Sequence, residues 1–279
     1  MSFFQWAQNP WGQEVLVRIS WDLFWLALVG GILFVIGHLV WRASPRAHKE
    51  VPAEEVSPAK AAAIPERILR HSLGSRFFHW SMSIAVFVLL VTGFFPVLGI
   101  QFDWITIHWI AGFALIGTVV FHIFHASFWL GLKNIWVGSG DWKEFRQGLA
   151  NALGSAPAPP KPGKYPVEQR LFHHMVSLAS FGVILTGLLM MVRVENPIFN
   201  RNPYLLGDST WGWVYVLHGL SAVGLVGMII AHVYFAILPE KRWMTMSMIA
   251  GWITKKDYLA HHDPDRWVVT EEAQEAKTP

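Results

Sequence analysis

Five stretches of this chain stay apolar for long enough to cross a bilayer: Trp21–Trp41, Phe77–Ile100, Trp104–Leu132, Leu171–Val192 and Trp211–Leu238. A hydrocarbon core about 30 Å thick takes roughly 20 helical residues. Each stretch is therefore predicted as a membrane-spanning helix, and the five are designated A to E. Polar or Pro-rich sequence separates them. Ala43–Pro65 and Asn151–Pro166, the latter with an Ala-Pro-Ala-Pro-Pro run, read as linkers.

Composition agrees with the hydropathy pattern. With 53% hydrophobic and only 15% charged residues, the chain departs from soluble domains, in which about 25% of residues are charged. Sixteen Trp residues include Trp21, Trp25, Trp41, Trp104, Trp109, Trp211 and Trp213 near segment ends, where indoles gather at membrane interfaces. The net charge of +3 is too small and too dispersed to indicate nucleic acid. Its distribution says more. The A–B loop, the C–D loop and the C-terminal tail hold nineteen Lys and Arg residues, against three in the alternate segments. The positive-inside rule then predicts five spans with the N-terminus outside and the C-terminus in the cytoplasm. This is the topology of a multi-pass membrane protein. Segment A follows about twenty residues with a single Arg, unlike the short basic start of a secretory signal, and reads as a retained anchor.

An internal duplication organises the rest. Arg76-Phe-Phe-His79 and Val91-Thr-Gly93 in B recur as Arg170-Leu-Phe-His173 and Leu185-Thr-Gly187 in D, at a constant offset of 94. C and E align at an offset of 110, matching His108 to His218, Leu115 to Leu225, Gly117 to Gly227 and His122 to His232. B–C and D–E are thus two copies of one hairpin, expected to pack about a pseudo-two-fold axis along the membrane normal. The predicted fold is all-α and integral to the membrane: a four-helix core of two repeated hairpins plus one extra N-terminal span. The corresponding division is an external segment (1–20), the anchor helix (21–41), a cytoplasmic linker (42–70), the four-helix domain (71–240) and a cytoplasmic tail (241–279).

The candidate chemistry lies in the histidines. His108 and His122, like His218 and His232, stand fourteen residues apart. That is close to four helical turns, so each pair shares a face with roughly 21 Å between its members. Ionisable side chains within the membrane mark functional sites by default, and facing imidazoles on two helices suit haem clamped across the bilayer. Depth follows from topology. His108 and His218 are the outer pair. The inner side holds four candidates, His79, His122, His173 and His232. The pseudo-two-fold offers one consistent scheme, in which His79 pairs with His232 and its image pairs His173 with His122. The alternative for each is a core histidine tied to a carbonyl, or a proton or quinone role.

His38, His125 and His174 lie near segment ends and read as interfacial or structural. His48, His71, His261 and His262 lie in polar stretches and are expected to face water or the interface. Arg70, Arg76 and Arg170, just outside the inner face, suit haem propionates or topology equally. Gly93, Gly112, Gly117, Gly187, Gly219, Gly224 and Gly227 leave room for a flat macrocycle or for helix packing. There is no cysteine, so the chain carries no iron–sulfur cluster, disulfide or c-type haem. Electrons passing through it arrive from a partner or a quinol.

These residues resemble the cytochrome b (gamma) subunit of membrane-bound formate dehydrogenase and related respiratory oxidoreductases. The resemblance runs from about Arg67 to Trp267. It rests on Arg76-Phe-Phe-His79-Trp80, Ile107-His108, Lys164-Tyr165 with Gln169-Arg170, the His218/His232 pair, and His261-His262-Asp-Pro264 with Trp267. It implies two haems b: an outer one on His108 and His218, and an inner one on His79 and His232. It also implies a quinone, menaquinone or ubiquinone, near His232, Tyr165, Pro166, Glu168 and Gln169, and an external iron–sulfur and catalytic partner. The chain departs from the family at Lys164-Tyr-Pro-Val-Glu-Gln169, where Pro166 stands in place of a quinone-bonding Asn. Segment A is extra. His122 and His173, absent from the best-known members, leave a third haem open. Relatives serve hydrogenases and sulfur-oxyanion enzymes, so the substrate stays open. A self-contained cytochrome b561-type carrier and a proton-coupled transporter are the rival readings.

Overall fold

The computed structural model describes residues 2–44 and 57–269. A hairpin of strands β1 (Phe4–Gln8) and β2 (Glu14–Ile19) leads into helix α1 (Trp21–Arg42). Helix α2 (Pro58–Ala62) and strand β3 (Arg67–Leu69) precede α3 (Leu73–Phe94). Helices α4 (Trp104–Trp129), α5 (Ser139–Ala152), α6 (Val167–Met190) and α7 (Asp208–Ile237) follow. Helix α8 (Arg242–Ala250), strand β4 (Trp252–Thr254) and α9 (Lys255–His261) come last. Much of the A–B linker, including Arg46, His48 and Lys49, lies outside the described residues, as does the tail beyond residue 269.

All five apolar segments are helices long and apolar enough to cross a membrane. Three begin earlier than hydropathy alone predicts. α3 and α6 start four residues before segments B and D, and α7 starts three residues before E. Those first turns are polar, with Glu168 in α6 and Asp208 in α7, where a carboxylate favours the positive end of the helix dipole. Phe87, Phe128, Leu178 and Leu26 are more than half exposed. Bare apolar side chains on this scale are costly in water but are what hydrocarbon solvates.

The helices contribute to two compact units. The first comprises Met1–Phe34, Trp80–Phe121 and Met175–His232. Its core joins Ala85, Val86 and Leu115 to Val183, Ile184 and Ile229. The hairpin belongs to it. β1 and β2 pair antiparallel from Phe4↔Ile19 to Gln8↔Glu14, and Leu16 and Ile19 bury against Val216 of α7. Gly212 permits that docking, because a Cβ there would run into the Leu16 carbonyl. Hydropathy left residues 1–20 simply as an external segment. The hairpin is too short to announce itself and depends on α7 for its core.

The second unit comprises Val35–His79, His122–His174 and Val233–Pro279. β3 and β4 pair antiparallel through Ile68↔Ile253, and both isoleucines pack with Ile64, Tyr258 and Val269. Gly251 closes α8 at φ +94°, a left-handed conformation open to glycine. Its carbonyl accepts both the Arg70 and His71 amides.

Candidate haem site

His108 on α4 and His218 on α7 lie in the first unit with ring centroids 6.3 Å apart. Metal–imidazole bonds are about 2 Å long, so two imidazoles on opposite sides of one metal have centroids roughly 6 Å apart. The spacing fits a bis-histidine iron. The supporting contacts fit as well. Thr92 Oγ1, 2% exposed, donates to the Val88 carbonyl at 2.7 Å and lies 2.8 Å from His108 Nδ1. The hydroxyl's single proton is committed to the carbonyl, so it accepts from Nδ1–H. Thr186 repeats the arrangement, donating to the Gly182 carbonyl and accepting from His218 Nδ1–H at 2.9 Å. Both rings thereby keep Nε2 unprotonated and available as a metal ligand.

The glycine after each threonine completes the pattern. A Cβ at Gly93 would stand 3.6 Å from His108 Cε1, and one at Gly187 would stand 3.5 Å from His218 Cε1. A larger side chain would meet the ring. Gly112, one turn beyond His108, adjoins open space, as do Gly117, Gly224 and Gly227. Gly219 instead packs against Ile19 of the hairpin. The repeated Thr-Gly was visible in sequence, and the structure gives it a role there was no basis to assign.

His122 on α4 and His173 on α6 are brought together in the second unit, with centroids 6.0 Å apart. Phe78 stacks on His122 at 4.0 Å. His79 belongs to the second unit and His232 to the first. The end-of-segment histidines have structural contacts: His174 Nδ1 donates to the Arg170 carbonyl at 2.8 Å, and His38 meets the Tyr234 hydroxyl at 2.7 Å.

The residues opening α6 sit beside a buried arginine. Arg70, 1% exposed, reaches Gln169 Oε1 at 3.4 Å and lies over the rings of Trp243 (4.8 Å) and Tyr165 (5.8 Å). Its Nε and Nη1 have no hydrogen-bond partner among the described residues. Burial lowers the Arg70 pKa to about 10. Burial also raises the Tyr165 phenol, against the pull of Arg70. Gln169 Nε2 donates to Met244 Sδ at 2.8 Å, and Glu168 is exposed.

The other two arginines considered for propionates also have protein partners. Arg170 donates to both Asp141 oxygens, at 2.5 and 2.9 Å, and Arg76 Nη1 donates to the Ile249 carbonyl at 2.7 Å. Burial tends to raise the Asp141 pKa, but hydrogen bonds from Arg170 and the Gly138 amide hold it below the usual carboxylate value.

The expectation that His71 and His262 face water is corrected: both are buried, whereas His261 is exposed and stacks on Trp243. Residues 259–267 fold back onto 161–163. Asp263 N donates to the Pro162 carbonyl, Lys161 Nζ to Leu259, and His262 Nδ1 to Gly163 at 2.7 Å. Burial first, then Arg70 and Lys164, lowers the His71 pKa to about 2. Burial and Arg70 lower that of His262 to about 4.

Residues 70–251 match the family model described as prokaryotic cytochrome b561. The chain belongs to that family. It is thus a multi-pass membrane cytochrome b, a class that binds haem b. The match spans all six histidines considered as ligands and leaves the hairpin and α1 outside it. Over 215 residues the cytochrome is also 26% identical to the formate dehydrogenase cytochrome b556 subunit of Haemophilus influenzae, covering 72% of this chain and 82% of that protein.

Proposed function

We propose that this cytochrome b is the membrane-anchor subunit of a respiratory complex of the formate dehydrogenase kind. It carries electrons from an external iron–sulfur protein, itself fed by a catalytic subunit, to a quinone near the cytoplasmic face. The observation that carries the reading is the His108–His218 pair, with each Nδ1–H held by a threonine and a ring spacing suited to one iron. The relative's name supports the assignment to a formate dehydrogenase. Lys and Arg distribution supports an N-terminus outside and a C-terminus inside the bacterial inner membrane.

Haem b supplies one-electron redox chemistry when bound, and the polypeptide supplies ligands, burial and placement. His108 and His218 hold the outer haem. For the inner haem, the repeat and the family resemblance select His79 and His232. Residues 71–240 form this diheme domain, between the anchor helix and the cytoplasmic tail. Tyr165, Glu168 and Gln169 border the quinone site. Glu168, exposed to the aqueous side, delivers protons to the reduced quinone, and Gln169 orients its carbonyl. Arg70 joins this group as a buried positive charge that favours an anionic ligand group beside Tyr165.

The second reading, a self-contained transmembrane electron carrier, is favoured by the family description itself. Mild affinity purification from the native membrane separates the two. Recovery with an iron–sulfur protein, and reoxidation of the reduced haems by added quinone only when the complex is intact, supports the anchor reading. Full activity of the chain purified alone contradicts it.

A further inference from the structure

We propose that His122 and His173 hold a haem b of their own, additional to the two assigned above. The proposal rests on the cytochrome b reading but on different residues. The two rings lie in one unit with centroids 6.0 Å apart, against 6.3 Å for His108 and His218. Both separations match two imidazoles sharing one metal through bonds of about 2 Å.

The ordinary explanation of a histidine within an apolar helix is a side chain tied to a carbonyl or hydroxyl. His174, His38, His108 and His218 all show such ties. His122 and His173 do not. Nδ1 of each is buried with no hydrogen-bond partner, and neither ring is hydrogen-bonded among the described residues. Neither ring is committed to a protein partner, so a ring nitrogen of each is available for an axial bond to iron, although, unlike His108 and His218, these rings carry no hydrogen bond at Nδ1. Phe78 stacks parallel on His122, with 15° between the planes, and fixes the direction in which its ring edge points.

The chemistry favours a haem over a bare cation. Among the described residues no group of three or more His, Cys, Asp or Glu converges as a metal-ion site requires. Two imidazoles leave a zinc-like ion short of its usual four ligands. A macrocycle brings four in-plane nitrogens and needs only the two axial positions. The duplication gives an independent reason. His173 stands at the repeat position of His79, and His122 at that of His232. Each copy therefore contributes one histidine to each pair, and His173 with His122 is the repeat image of His79 with His232.

Haem quantitation on the purified holoprotein tests this. The expected ratio is about three haems b per chain, falling to about two in His122→Ala, in His173→Ala and in the double variant alike. A wild-type ratio of two that neither substitution changes overturns the proposal. If alanine unfolds the protein, His173→Met decides. It retains an axial ligand, so the ratio stays at three while one midpoint potential moves upward, as methionine ligation directs. Three haems with unshifted potentials overturn the proposal. A parallel His108→Ala sample keeps the readings apart. If it loses haem while the His122 and His173 variants do not, the new site falls and the outer haem stands. The reverse result sinks the outer haem alone.

Discussion

Thr92 Oγ1 gives its proton to the Val88 carbonyl and receives one from His108 Nδ1, 2.8 Å away. This fixes the imidazole tautomer and makes the ring a stronger electron donor, because a ligand whose far nitrogen donates a hydrogen bond is more basic. Thr92→Val removes the acceptor without changing the shape much. The expected result is an upward shift in the midpoint potential of the haem at His108 and a roughly 10–100-fold loss of haem affinity. Thr92→Ser restores both. Potentiometric titration of the visible spectrum reads the change, and an unmoved midpoint in the valine variant contradicts the role.

Gly93 and Gly187 should tolerate one carbon and no more. At 3.6 and 3.5 Å from His108 and His218, an added Cβ makes ordinary contact with the ring. Gly93→Ala and Gly187→Ala are therefore expected to keep the full haem complement. Gly93→Leu and Gly187→Leu push the imidazole away and lose the haem that His108 and His218 share. Absorbance at the b-type α-band per mole of protein distinguishes the two classes.

Acid should loosen the second unit through two buried imidazoles. His71 and His262 have folded pKa values of about 2 and 4, below the ordinary 6.5. Between those limits the unfolded chain binds more protons than the folded one, so stability falls as pH falls. Their effect is absent above about pH 7 and grows downward through pH 6.5. Thermal melting in detergent should show a lower midpoint at pH 5 than at pH 7.5. A His71→Gln, His262→Gln variant should narrow that difference, and an unchanged difference contradicts the assignment.

The ion pairs are expected to be unequal. Arg170 and Asp141 are 12% and 14% exposed at the side chain, whereas Arg266 and Glu144 are 33% and 26% exposed. Asp141→Ala leaves a largely buried guanidinium with the Trp136 carbonyl but no carboxylate, at a cost of about 3 kcal/mol. Glu144→Ala should cost no more than about 1 kcal/mol. Denaturation of the two variants side by side gives the ordering.

Most of the architecture was legible because hydrocarbon imposes a simple rule on sequence. Twenty apolar residues make a span, and five such runs became α1, α3, α4, α6 and α7. The duplication was equally legible, since Arg76/Arg170, His79/His173 and Thr92/Thr186 keep constant spacing. What escaped depends on contacts distant in sequence. Nothing local marks residues 4–19 as a hairpin, because its partner Val216 lies some two hundred positions away. Polar surroundings suggested that His71 and His262 face water, yet pairing of β3 with β4 and the fold-back of 259–267 bury them. Arg170 lay where an arginine suits a propionate, and the Asp141 that engages it sits on α5, within a stretch with no hydropathy signal.

If His108 and His218 share one iron, haem quantitation across a double-variant cycle shows it. His108→Ala and His218→Ala should each remove the same single haem, and the double variant should lose no more than either alone. Loss of two haems from the double variant, or of none from either single one, means that they do not share an iron.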